Sequence, residues 1–506
     1  MIRAFLSVGL WTLVSRVTGF MRDILLARLL GAGLMMDAFA VAFRLPNHFR
    51  AIFAEGAFTS AFVPAYARIR QQAGEAAGRR FQGEILTLTM LTQGVLLLMV
   101  LLFTPGFVHL LAPGFAASGE AMRLAIELTR ITFPYLALIT LVVLWTGVLN
   151  AERRFVAGAA APVLLNLAMI STLLAAGFFV SVAHAAAWGV LIAGILEAGL
   201  LWFATRRAGL MAVPARPRLG SDMRAFFRAF GPAVIGAGGV QIAMLADTIL
   251  VTFLPQGGAS SLYYADRLYQ LPLGVIGVAA GTVLLPEMSK RIAAGDEAGA
   301  FLAQNRSLGL SLLLAMPFAI AFLMVPDAII GGLFGYGAFD AQAVSAAAAV
   351  LAAYALGLPA VVAIRSLVAS FHARGDTKTP LYASLTAIAL NLGLKFLLWQ
   401  SHGAAGLALA TAIGAMANAT LLATLAIRQK KAAPDAELGF AVAIAMIAGI
   451  WLAAALMLAD EMWGSTLRGL HPFLRLCALG VLGGGAYLAI ALFCSRVSRL
   501  QIGLRR

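Results

Sequence analysis

The chain has 506 residues, 61% of them hydrophobic and only 12% charged, with a net charge of +15 and a mean hydropathy of +0.92. Soluble domains run at about 45–50% apolar and about 25% charged, so this composition excludes a string of them and leaves an all-α polytopic membrane protein. The positive charge does not call for nucleic acid, because membrane proteins concentrate Lys and Arg in their cytoplasmic loops.

Apolar runs long enough to cross a bilayer, about 20 residues each, recur along the whole sequence. They predict fourteen transmembrane helices, over residues 4–30, 35–67, 81–111, 121–150, 158–182, 185–205, 223–254, 259–289, 301–326, 341–371, 379–400, 403–427, 438–459 and 471–495. The first run is too long and too charged for a cleavable signal and is expected to stay as a helix. Alternate connections are basic: Arg68, Arg70, Arg79 and Arg80; Arg153 and Arg154; Arg206, Arg207, Arg216 and Arg218; Lys290, Arg291 and Arg306; Arg374 and Lys378; Arg428, Lys430 and Lys431. The connections between them, at 31–33, 104–119, 181–184, 255–258, 326–340 and 401–403, hold no Lys or Arg, and 460–470 holds only Arg468. This alternation predicts a multi-pass protein with both termini in the cytoplasm.

A repeat is visible at nearly constant offset: Pro46 and Pro272 are 226 residues apart, Pro134 and Pro359 are 225 apart, and so are Asn166 and Asn391. Six helices followed by six in the same orientation predict two lobes, 1–218 and 219–431, related by a parallel pseudo-two-fold axis along the membrane normal. Residues 432–506 then supply two extra C-terminal helices outside the repeat, an apolar pair suited to a lipid-tail groove.

Charge is buried in the first two helices. In SRVTGFMRDILLAR, residues 15–28, the helical period of 100° per residue places Ser15, Arg16, Gly19, Arg22 and Asp23 on one side with Thr12, while Arg28 points away and is suited to snorkel. The second helix puts Asp37, Arg44, His48 and Glu55 on one face, and a kink at Pro46 turns Arg50 toward the same space. Charges at membrane depth cost about 3 kcal/mol or more and turn inward, toward protein or a water-filled cavity. Two readings stand at this point: buried ion pairs, such as Arg16 with Asp23 or Arg44 with Asp37, or a cationic cavity. The count favours the cavity. Arg16, Arg22, Arg44 and Arg50 outnumber Asp23, Asp37 and Glu55, and the second lobe adds Arg267 beside Asp266, with Arg365 and Lys395. Surplus guanidinium forks suit an anionic, phosphate-bearing ligand rather than a cationic drug.

Other chemistry is sparse. The six histidines include no pair at i+3 or i+4 spacing, which leaves no metal motif, and no acid–base set for a membrane enzyme is evident. No cofactor is expected. Cys477 and Cys494 lie 17 residues apart, about 25 Å on one helix, too far to bridge. Asp247, Asn391, Lys395 and Thr411 are intramembrane polar groups. Asp247, Asn391 and Thr411 offer oxygens for a Na⁺ site, but Lys395, one turn from Asn391, would repel the ion and pair with Asp247 instead. Glu197 is either a proton carrier or a hydrogen-bonded structural acid.

Three segments carry a specific resemblance. SRVTGFMRDILLARLLGAG at 15–33, DAFAVAFRLPNHFRAIFAEGAFTSAFVP at 37–64 and LYYADRLYQLPLGVIGVAAGTVLLPEMSK at 262–290 resemble the signature segments of the MurJ (MviN) family of bacterial lipid II flippases, in the multidrug/oligosaccharidyl-lipid/polysaccharide exporter superfamily. The resemblance implies a transporter in the bacterial inner membrane that moves undecaprenyl-pyrophosphoryl-disaccharide-pentapeptide to the periplasmic leaflet by alternating access. It also implies that Arg16, Arg22, Arg50 and Arg267 bind substrate, that Asp37 and Glu55 support the cavity, and that membrane potential or an ion drives the cycle. Partners would be lipid II, membrane lipids and envelope-synthesis proteins. The superfamily leaves one alternative, an exporter of drugs or of another polyprenyl-linked saccharide.

Overall fold

A computed structural model describes the backbone of residues 2–53 and 56–503, with side chains throughout except at 2–7, 45, 48–49, 51–53, 57, 235–240, 242–243, 278–282 and 497–503. The described residues are helical with no strands, and nine of their helices are long and apolar enough to cross a membrane. The chain divides into two compact units, residues 1–259 and 260–506.

The first unit contains α1 (Ile2–Leu30), α2 (Leu34–Phe53), α3 (Ala57–Leu102), α4 (Thr104–Leu111), α5 (Gly119–Thr132), α6 (Tyr135–Ala151), α7 (Val156–Leu174), α8 (Val182–Arg207) and α9 (Ser221–Thr252). Helix α7 packs between α1 and α8, α6 packs on α3 and α8, and α9 packs on α2 and α3. Helix α9 thus packs within the first unit. An aromatic ladder explains the α3–α9 contact: Phe62 stacks on Phe58, Tyr66 and Phe81, and Phe226 of α9 meets Phe58 and Phe81 edge-on. Such rings add about 0.5–1.5 kcal/mol per pair beyond their buried area.

Within the stretch read from the sequence as a connection, α3 is broken at Gly74 (φ 86°, ψ 174°), so that two helical arms meet there, and beside the break Glu75 takes Arg70 and Arg79, each at 2.9 Å. A glycine is required there because a Cβ disfavours positive φ.

The second unit contains α10 (Gly258–Pro272), a π-helical turn (Leu273–Gly277), α11 (Val278–Ala293), α12 (Glu297–Met324), α13 (Pro326–Phe334), α14 (Ala341–His372), α15 (Lys378–Arg428), α16 (Ala436–Gly469) and α17 (Pro472–Gly503). Gly403, at φ 53°, breaks α15 into two arms. The region 326–340, expected as a bare connection, instead forms α13, started by Pro326 at its first position, where the missing N–H costs nothing. Asp296, Asp340 and Asp435 each accept the N–H three residues on at 2.8 Å, capping α12, α14 and α16. On the α14–α15 turn, the Lys431 ammonium and Thr379 donors hold the Asp376 carboxyl well below the usual carboxylate range. Helices α16 and α17 pack on α12 through Leu452, Leu456, Leu479 and Tyr487, whose hydroxyl donates to the Leu313 carbonyl at 2.6 Å.

Candidate functional site

The polar stripe of α1 is organised by Asn166 of α7. Arg22 is buried, only 6% exposed. Its Nε and Nη2 donate to Asp23 Oδ1 at 3.0 and 2.7 Å, and its Nη1 donates to Asn166 Oδ1 at 2.9 Å. The Asn166 amide in turn donates to the Ser15 carbonyl at 2.9 Å and to the Thr18 hydroxyl at 3.0 Å. Gly19 lies beneath this amide, where a Cβ would meet Nδ2 of Asn166 at an ordinary contact distance of 3.4 Å. One amide thus fixes the guanidinium and the helix that bears it. Arg16, one and a half turns earlier, is exposed.

Helix α2 contributes two separate features. Near its start Asp37 is buried, and its Oδ2 accepts the Gly257 N–H at 2.6 Å, tying α2 to the turn after α9. Near its end Arg50 is half-buried and exerts a coulombic attraction on Glu197 of α8. Glu197 is 2% exposed and accepts a hydrogen bond from the Tyr135 hydroxyl at 3.4 Å. A buried acid group demands such partners, and the tyrosine hydroxyl supplies a hydrogen bond where the arginine supplies charge. Arg44 is half-buried, Asp247 is half-buried on α9, and Glu55 lies outside the described residues.

The second unit holds its own polar groups. The Arg267 guanidinium sits 4.7 Å from the centre of the Tyr263 ring, a cation–π contact, and the Gln270 amide bonds Asp266. Arg365 is exposed, and its aliphatic stem lies against Gly277 of the π-helical turn. Lys395 is 4% exposed. One turn before it, Asn391 packs against Gly414, with no hydrogen-bond partner for its Oδ1 among the described residues. The Thr411 hydroxyl donates to the Leu407 carbonyl at 3.0 Å.

A family model described as Lipid II flippase MurJ matches residues 26–479. The probable lipid II flippase MurJ of Rhizobium meliloti (strain 1021) is 37% identical over 97% of this chain and 93% of its own length. This chain belongs to the MurJ lipid II flippase family. The Burkholderia cenocepacia lipid II flippase MurJ is 35% identical over 83% of this chain and 82% of its own. A solved structure of lipid II flippase MurJ in an inward closed conformation has a TM-score of 0.80 at 25% identity, covering 97% of this chain and 98% of that one. An inward-facing multidrug resistance MATE transporter shares the fold at a TM-score of 0.68 and 16% identity, over 82% of this chain and 94% of its own.

Within this MurJ-family chain, the structure joins Ser15, Arg22 and Asp23 into one network and sets Arg50 in another. It adds Asn166, visible in the sequence only as half of a repeated Asn-Leu pair, and it gives Glu197, read from the sequence as a proton carrier or a hydrogen-bonded structural acid, its hydrogen-bond donor in Tyr135. Their partners are 144 residues away for Asn166–Arg22 and 62 for Glu197–Tyr135, separations at which no helical period gives a signal.

Proposed function

We propose that this chain moves lipid II from the cytoplasmic to the periplasmic leaflet for peptidoglycan synthesis. The observation that carries the reading is the full-length match, in sequence and in fold, to lipid II flippases. Lipid II has a diphosphate and a sugar–peptide head that hydrocarbon excludes, and a polyprenyl tail with no reason to leave it. Only the head needs shelter, and no bond is made or broken. Arg16, Arg22 and Arg50 grip the pyrophosphate, with Arg267 the corresponding cation of the second unit. Ser15, Asp23, Asp37, Arg44, Glu55, Asp266 and Arg365 shape and balance the charge around it. Asp23 and Asn166 orient the Arg22 fork, as Glu197 does for Arg50, so that little conformational entropy is lost on binding.

The polypeptide crosses the inner membrane fourteen times in this reading, with both termini cytoplasmic. The breaks at Gly74 and Gly403, which divide the two longest helices, support that count. Two six-helix lobes, 1–218 and 219–431, carry out alternating access, and the extra pair in 432–506 offers the tail its groove; the exposed Ile450, Trp451, Met457, Val481 and Leu488 support an apolar outer face. Membrane potential drives the cycle without a bound Na⁺, because the buried Lys395 ammonium already supplies positive charge one turn from Asn391. Complementation tests the reading: in a flippase-depleted bacterium the chain should restore growth and prevent lipid II from accumulating on the inner leaflet. Failure of a well-expressed, membrane-inserted protein to do so overturns it.

A further inference from the structure

A second cluster of arginines lies in the first unit, apart from those of α1 and α2. A cavity of about 390 Å³ opens where the α6–α7 turn meets the end of α8, lined by Arg153, Arg154 and Arg207 over an apolar floor that includes Leu149, Phe155 and Val156. All three arginines are exposed, and none has an acidic partner among the described residues. The one acid on the turn, Glu152, is taken by Arg70 at 2.9 Å. Three cations therefore converge with their charge uncompensated.

The backbone at this turn is unusual in the same place. Helix α6 ends with the Arg153 N–H bonded to the Asn150 carbonyl and the Arg154 N–H to that of Leu149, which forces Arg153 to φ 58°. The same pair of bonds closes α8, α11 and α14, and there the left-handed position is filled by Gly209, Gly295 and Gly375; after α15 it is filled by Lys430. Glycine is the low-strain choice, so a bulky arginine at 153 trades conformational ease for a charge at the cavity.

We propose that this cavity binds the phosphate diester of an anionic phospholipid in the cytoplasmic leaflet. Guanidinium forks match phosphate oxygens, and the exposed Phe155 and Val156 give an acyl chain a surface beside them. The site is independent of the lipid II reading and needs only that this end of the unit face the cytoplasmic leaflet. Each arginine near the surface contributes about fivefold in affinity for an anionic lipid.

The test uses full-length protein in phosphatidylcholine vesicles with spin-labelled phosphatidylglycerol, measuring the motionally restricted fraction. The wild type should prefer phosphatidylglycerol over phosphatidylcholine, and Arg153→Gln with Arg154→Gln and Arg207→Gln should lose that preference. Arg153→Gly, which suits the backbone, should melt no lower than wild type yet bind the probe about fivefold more weakly. Unchanged preference in Arg153→Gly and in the triple Gln variant would overturn the proposal. So would displacement of the label by inorganic phosphate at millimolar concentration, which would assign the site to a soluble phosphate.

Discussion

Replacing Asn166 by Ala should destabilise the first unit by an amount set by three hydrogen bonds. The bond from Arg22 Nη1 at 2.9 Å involves a charged donor, and such bonds contribute about 1.5–3 kcal/mol. Those to the Ser15 carbonyl and Thr18 hydroxyl, at 2.9 and 3.0 Å, are neutral, and interhelical bonds in membrane bundles average about 0.6 kcal/mol. Together the loss is about 3 kcal/mol, which lowers the melting temperature of a unit this size by roughly 6 °C. Thermal unfolding of purified protein, followed by intrinsic fluorescence, measures it. In an Arg22→Met background the same substitution should cost only about 1 kcal/mol, because the charged bond is already gone. A full-size penalty in that background, or a shift under about 1 °C in the wild type, would refute the claim that Asn166 is the link between Arg22 and α7.

Arg16→Ala, Arg22→Ala and Arg50→Ala should each abolish complementation with the protein still in the membrane, and Lys should rescue poorly because it lacks the bidentate fork; normal growth of all three Ala variants contradicts this. Glu197→Gln keeps the side chain's shape but removes the acid that Tyr135 bonds and on which Arg50 acts; groups coupled in one network interact by about 0.5–3 kcal/mol, so flipping should fall about tenfold, and wild-type rates would show that Arg50 does not depend on the acid. Replacing Na⁺ with choline at constant ionic strength and membrane potential should leave flipping unchanged; a strict Na⁺ requirement would overturn the role given to Lys395.

Much of the fold could be read from the sequence because membrane helices declare themselves twice, by apolar length and by loop charge. The polar stripe on α1 was equally readable, since period alone places Arg16, Arg22 and Asp23 on one side. Less visible was which partner each charge takes. Spacing offered Arg16 to Asp23 and Arg44 to Asp37; the structure shows in addition that Asp23 receives the adjacent Arg22 and that Asp37 receives the backbone N–H of Gly257. Arg22 reaches the adjacent Asp23 through its long side chain, which a projection of Cβ directions does not show. Gly257 comes within reach of Asp37 only when α9 is packed. The stretch around Gly74 read as a connection because hydropathy falls there; the helix does break at Gly74, and Glu75, paired with Arg70 and Arg79, keeps the arms beside the break helical.

The central claim is leaflet transfer of an intact lipid, and its most direct measurement is lipid II flipping by purified protein in liposomes. Labelled lipid II, first confined to one leaflet, should become accessible from the opposite side to a membrane-impermeant reagent, unchanged in mass, and the Arg16→Ala protein should not support this. A folded, correctly inserted wild-type protein that leaves the label in its original leaflet, or alters the lipid chemically, would contradict the account.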